Sequence, residues 1–262
     1  MLKKSLIIIL TVLIFASTCI LGVSTVYRVT AVTLDASVVS AAAQEEAKDL
    51  QARLESAYYK KSIFSVDETE AQSVFADFPY FRIASFQKEY PNRIVITVSE
   101  DAEVFAVSTE ENMYYILGID GTVLEYRETS SNRLDNAENI LVKGITAQGV
   151  KGEILQGGNY FSALLTFCQK ANEMLDGIRR NVVSIEVMQK TSLAEETILL
   201  ITLREGIKMY IGNPLSQSRE KAETAFGKYL SLSAEERLTG RIAVFDRNGE
   251  LTVDVSKEDF NS

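Results

Sequence analysis

The sequence predicts an α+β protein with a single N-terminal transmembrane helix, a βααββ module, and then a second mixed β-sheet domain with two helices. Three observations predict it. Residues 5–27 form an apolar run without a charge. Between residues 28 and 100 the hydrophobic periodicity runs alternating, helical, helical, alternating, alternating. Beyond residue 101 the texture changes to many short strands interrupted by two amphipathic helical stretches. The expected parts are a short N-terminal tail with its anchor (1–27), the βααββ module (28–100) and a β-rich domain (101–262).

The anchor follows from length and charge. No charged residue lies between Lys4 and Arg28. At 1.5 Å per helical residue the run spans roughly 34 Å, against a hydrocarbon core of about 30 Å. A cleaved secretory signal is the alternative. The run is longer than the apolar region of such a signal, and no A-x-A site directly follows it. Cys19 follows Ala16-Ser17-Thr18, a poor lipidation box. Lys3, Lys4 and the amino terminus stand on one side and Arg28 on the other. The positive-inside rule therefore puts the N-terminus in the cytoplasm and nearly all of the mass outside.

In the module, residues 27–34 alternate and read as a first strand. Residues 40–59 carry Ala43, Ala47, Leu50, Leu54, Ala57 and Tyr58 at three-and-four spacing, the apolar stripe of a helix. Asp67 is placed to cap a second helix over 68–76, with Ala71, Val74 and Phe75 turned inward. Pro79 cannot continue that helix. Two alternating strands follow at 81–88 and 93–99, joined by a Tyr90-Pro91-Asn92 turn. The order implies a three-stranded sheet with two helices on one face.

In the β-rich part, residues 104–108 and 113–117 flank a hairpin loop at 109–112, and Asp120-Gly121 turns the chain into another strand. Residues 159–176 form an amphipathic helix with Phe161, Leu164, Leu165, Cys168, Asn172 and Leu175 along one side. Strands follow at 182–188, 197–203 and 207–212. A second helix at 216–232 has Ala222, Ala225, Phe226 and Tyr229 on its inner face. The chain closes with a hairpin, 241–245 and 250–255, around Asp246-Arg247-Asn248-Gly249, and Asn-Gly is a strong hairpin signal.

Composition excludes several classes. A hydrophobic content of 46% with three prolines argues against disorder. The net charge of -9, or -11 without Lys3 and Lys4, argues against adsorption to nucleic acid or anionic lipid through net charge. Cys19 and Cys168 cannot pair across the membrane boundary, so the exported part is held by its core. Cys168 reads as a small buried hydrophobe, with an intermolecular bridge as the alternative.

The chain has no histidine, hence no imidazole base, ligand or triad member. Gly157-Gly158 is a turn signal rather than a phosphate loop, and Ser216-Gln217-Ser218 is not expected to form a catalytic serine–lysine pair. Carboxylates cluster at Glu100, Asp101 and Glu103 and at Glu195 and Glu196. Such clusters at strand ends read as solvated charge. The enzymatic alternative is an anchored cell-wall hydrolase pairing two acids such as Glu103 and Glu195. No catalytic residue, metal ligand or cofactor is otherwise expected.

The stretch DFPYFRIASFQKEYPNRIVITVSE, residues 77–100, resembles the second half of a POTRA module. There a helix ending in "PW" or "PY" feeds a hairpin turned by "PN". Ser62-Ile63-Phe64-Ser65-Val66-Asp67 resembles the "N-x-F-x-V-D" link between that module's helices, and residues 203–212 resemble the "L-x-x-G-I-x-x-x-x-G" stretch before a last helix. A lone module of this type, soon after one anchor and followed by a mixed domain, resembles the bacterial cell-division family DivIB/FtsQ.

The resemblance implies a non-enzymatic scaffold at the division septum. It would bind FtsL-like and DivIC- or FtsB-like single-pass proteins outside the membrane and help control septal peptidoglycan synthesis, with neither nucleic acid nor a small-molecule substrate. The family's principal contact lies on the last strands. Carried over by position, this points to Val244, Phe245, Asn248, Leu251, Thr252 and Val253. Val244, Leu251 and Val253 also fit a plain core-facing alternation.

Overall fold

The computed structural model describes residues 10–15, 17–18, 22, 25–36, 43–109, 112–134, 137–189, 193, 196–247 and 249–259. The chain is a mixed α+β protein that divides into two compact units, residues 1–101 and 102–262. Among the described residues no helix is long and apolar enough to cross a membrane. The expected transmembrane helix thus has no support there; much of the apolar run, 5–9, 16, 19–21 and 23–24, lies outside the described residues.

The first unit contains β1 (Ala31–Ala36), α1 (Ala43–Tyr58), α2 (Glu68–Phe75), β2 (Phe81–Glu89) and β3 (Arg93–Glu100). Its sheet order is β1-β3-β2, with β3 central, parallel to β1 and antiparallel to β2. The first strand starts four residues later than the alternation suggests. The amides of Val29 and Thr30 are taken by the carbonyls of Lys61 and Asn92, at 2.8 and 2.9 Å, which staples this segment to two loops before the ladder begins. Ala43, Leu50, Leu54 and Tyr58 of α1 are buried, as are Ile94, Ile96 and Val98 of β3.

Asp67 caps α2 as its position foretells: its carboxylate accepts from the Thr69 amide at 3.1 Å. The Tyr58 hydroxyl donates to the Asp67 carbonyl at 2.7 Å, so the cap is tied to α1 as well. Burial, reinforced by Glu70, pushes the Tyr58 pKa up to about 12. Asp67→Ala is expected to cost about 1 kcal/mol, read as a lowered urea midpoint at unchanged slope.

The second unit is one nine-stranded mixed sheet. Its strands are β4 (Phe105–Ser108), β5 (Tyr114–Leu117), β6 (Val123–Arg127), β7 (Ile140–Lys143), β8 (Val182–Gln189), β9 (Thr197–Leu203), β10 (Lys208–Gly212), β11 (Arg241–Arg247) and β12 (Glu250–Ser256). The order is β12-β11-β10-β9-β8-β7-β4-β5-β6. β7 runs parallel to β4 and β8, and β11 runs parallel to β10. Parallel neighbours need a crossover, supplied by α3 (Gly158–Leu175) between β7 and β8 and by α4 (Ser218–Ser231) between β10 and β11.

The two helices meet through Phe167 and Phe226, whose ring centroids are 5.7 Å apart. They pack on alternate residues of the sheet, among them Ile185, Leu199, Ile201, Met209, Ile211, Ile242 and Val244. Cys168 belongs to this core, and burial raises its thiol pKa far above the usual range. β7 has no counterpart in the sequence reading. Four residues are too few to display a period, and the strand is held by long-range parallel pairing on both sides.

Candidate partner-binding interface

The closing hairpin puts most of the expected site residues at one end of the large sheet. β11 pairs antiparallel with β12 from Arg241 opposite Ser256 to Arg247 opposite Glu250. At the turn, an Asp246 carboxylate oxygen accepts from the Gly249 amide at 2.9 Å, and Gly249 sits at φ +84. At the other end Gly240, at φ +91, lets the backbone approach the Ser256 carbonyl so closely that a Cβ would collide with it. The tail then folds back: the Tyr210 hydroxyl donates to Asp259 at 2.5 Å, and Lys208 pairs with the same carboxylate. Burial, then the Asp259 acceptor, push the Tyr210 pKa up to about 12.

Cross-strand partners share a face, so Val253 opposite Val244 and Val255 opposite Ile242 lie on the helix-covered side. The inner pair is the more deeply covered. Val244 and Ile242 are fully buried, whereas Val253 and Val255 remain 41% and 40% exposed. Leu251, two residues before Val253, is half-buried on the same face. Among the described residues β12 is also the last strand in the order, with no strand beside its outer edge. An uncovered apolar stripe along an unpaired strand edge is a surface for strand addition.

The expected site residues therefore separate. Val244 is fully buried in the core cluster, as the plain core-facing alternation also allows. Phe245 is half-buried on the opposite face, its ring lying against Gly212 so that a Cβ there would strike it. Thr252 is exposed, its hydroxyl donating to the Phe245 carbonyl at 3.2 Å. Leu251 and Val253 stand on the open stripe. Asn248 lies outside the described residues. Val255, on the same stripe, was missed, although the alternation that places Leu251 and Val253 extends to it.

Lys221 was also missed. It lies on the inner face of α4 beside Ala222, fully buried, and donates to the carbonyls of Gly212 and Asn213 at 3.0 and 2.8 Å. Burial lowers its pKa below that of an ordinary lysine, and nearby Asp246 partly offsets the shift. Its role is to hold the end of β10, next to β11.

The carboxylate pair of the enzymatic reading is not assembled among the described residues, since Glu195 lies outside them. Glu103 is no solvated acid at a strand end; it is fully buried. Its carboxylate receives both terminal nitrogens of Arg127, at 2.6 and 3.1 Å, the Asn139 amide at 3.0 Å and the Arg133 backbone N–H at 3.3 Å. The Glu103 carbonyl accepts from Asn132 and Arg179. Saturated by donors and sealed from water, this acid is a junction of the fold. Glu100 and Asp101 belong to the other unit, where Asp101 accepts from Arg82 at 2.7 Å.

A comparison with curated proteins found no match. The sequence family described as POTRA domain, FtsQ-type, matches residues 37–101, which span α1, α2, β2 and β3 of the first unit. Residues 37–101 are therefore a POTRA domain of the FtsQ type, which supports the resemblance to the cell-division family DivIB/FtsQ.

Proposed function

We propose that the protein is a non-enzymatic scaffold of the division machinery. Residues 5–27 hold it in the cell membrane with the N-terminus in the cytoplasm and both units outside, at the septum. Through the β12 edge it takes a strand from an FtsL-like or a DivIC- or FtsB-like partner, and so helps control septal peptidoglycan synthesis. The observation that carries the reading is the open β12 edge with Leu251, Val253 and Val255 beside a completed core. Family resemblance supplies the identity of the partners. Confinement of both proteins to one bilayer raises their effective concentration, so a modest interface suffices.

The test is capture of these partners by the full chain in detergent, with and without Leu251→Asp together with Val253→Asp. Neither position lies in the buried core cluster, so the variant is expected to fold and to lose capture. Retained capture would move the contact away from β12. A specific observation offers a second place: a groove of about 470 Å³ between the edge strand β1 and α1, lined by Val29, Ala31, Val32, Ala52, Ser56 and Tyr59.

A further inference from the structure

Three aromatic rings from separate segments converge where the chain enters the first unit. Tyr27 lies 5.1 Å from Phe64 and 6.4 Å from Tyr90, and Phe64 lies 5.7 Å from Tyr90, centroid to centroid. They are not core. Phe64 is 61% and Tyr90 59% exposed, an unusual amount of aromatic surface to leave in water at one spot. Tyr59, also exposed, follows α1 with the Lys60 ammonium 5.1 Å from its ring. Arg28, Lys60 and Lys61 stand in the same segments; Lys61 pairs with Glu70, whereas Arg28 and Lys60 have no carboxylate partner among the described residues.

The entry is stiff. Thr25 and Val26 are helical, and Tyr27 already accepts from the Ile63 amide at 2.9 Å. Arg28 bridges Ser62, and Val29 exchanges hydrogen bonds with Lys60 and Lys61. No free linker separates residue 26 from the folded unit.

We infer that the Tyr27, Phe64 and Tyr90 cluster, with Arg28 and Lys60, seats the first unit on the interface of a lipid bilayer containing anionic headgroups. The inference rests on the proposed anchor at residues 5–27. If that run spans the bilayer, its last residue, Tyr27, lies at the headgroup level, and the short ring distances bring Phe64 and Tyr90 to nearly the same depth. Aromatic rings with an apolar body favour that level, and adjacent cationic side chains reach lipid phosphates. The attraction is local and does not depend on the acidic charge of the whole chain. Its consequence is orientation: the first unit stands at a set angle to the membrane rather than swinging on a tether.

The chain contains no tryptophan, so Phe64→Trp introduces a single indole at an exposed position. The full chain would be reconstituted in vesicles of phosphatidylcholine and phosphatidylglycerol, with and without brominated acyl chains. Ser99→Trp is the control, at an exposed position roughly 20 Å along β3 from Arg93. The expected result is quenched, blue-shifted emission for Phe64→Trp and unchanged emission for Ser99→Trp. Arg28→Glu with Lys60→Glu should weaken the quenching. Unquenched emission that stays open to aqueous iodide, in protein that still floats with the vesicles after an alkaline wash, would overturn the inference, leave the anchor intact and assign the rings to a protein partner. Protein that fails to float would remove the anchor, and the inference with it.

Discussion

Glu103→Ala is expected to destabilise the second unit by about 3–5 kcal/mol, the cost of leaving a buried cation without its partner. For a unit of this size the midpoint of thermal unfolding should fall by on the order of 10 °C. Several donors lose their acceptor at once: Arg127, the Asn139 amide and the Arg133 backbone N–H. Arg127 is only 13% exposed, so water replaces the carboxylate poorly. Glu125, 3.0 Å from Arg127 and 29% exposed, retains part of the charge balance, which places the loss towards the lower end. Glu125→Ala, removing the outer partner alone, should cost below about 1 kcal/mol. Circular dichroism of both variants checks this, and equal losses would show that burial is not what makes the Glu103 pair matter.

The second large effect is on binding. A partner strand added to β12 would cover Leu251, Val253 and Val255 and dry that face. Placing carboxylates at positions 251 and 253 would then bury two unpaired charges on association, while in the free protein they remain in water. The loss is expected to reach about 2 kcal/mol or more, roughly thirtyfold in Kd. Titration of full chains in nanodiscs would measure it. Phe245→Asp is a less decisive change, because that ring packs on Gly212 and its loss mixes folding with binding.

Local patterning foretold most elements. Asp67 caps the helix it precedes, the Tyr90-Pro91-Asn92 turn joins β2 to β3, and Ala222, Ala225, Phe226 and Tyr229 form the inner face of α4. Each rests on neighbours within a few residues. What stayed hidden depends on distant pairing. β7 is a strand because β4 and β8 flank it, and Glu103 is buried because Arg127, Asn139 and Arg179 close over it from far along the chain.

The candidate interface shows the same division. Alternation alone put Val244, Leu251 and Val253 on one face but could not tell which strand was last. The strand order separates them, since Val244 on the inner strand is fully buried and Val253 on the outer strand is 41% exposed. Lys221 shows the converse. A lysine is ordinarily solvated, yet the carbonyls of Gly212 and Asn213 make this buried ammonium tolerable.

Hydrogen exchange on the full chain, with and without the FtsL-like and DivIC- or FtsB-like partners, tests strand addition at β12 most directly. Amides of residues 250–256 should exchange more slowly in the complex, because the partner's carbonyls would occupy the open edge, while residues 31–36 of β1 stay unchanged. Protection confined to residues 31–36, or binding without protection at residues 250–256, would contradict partner binding through the β12 edge.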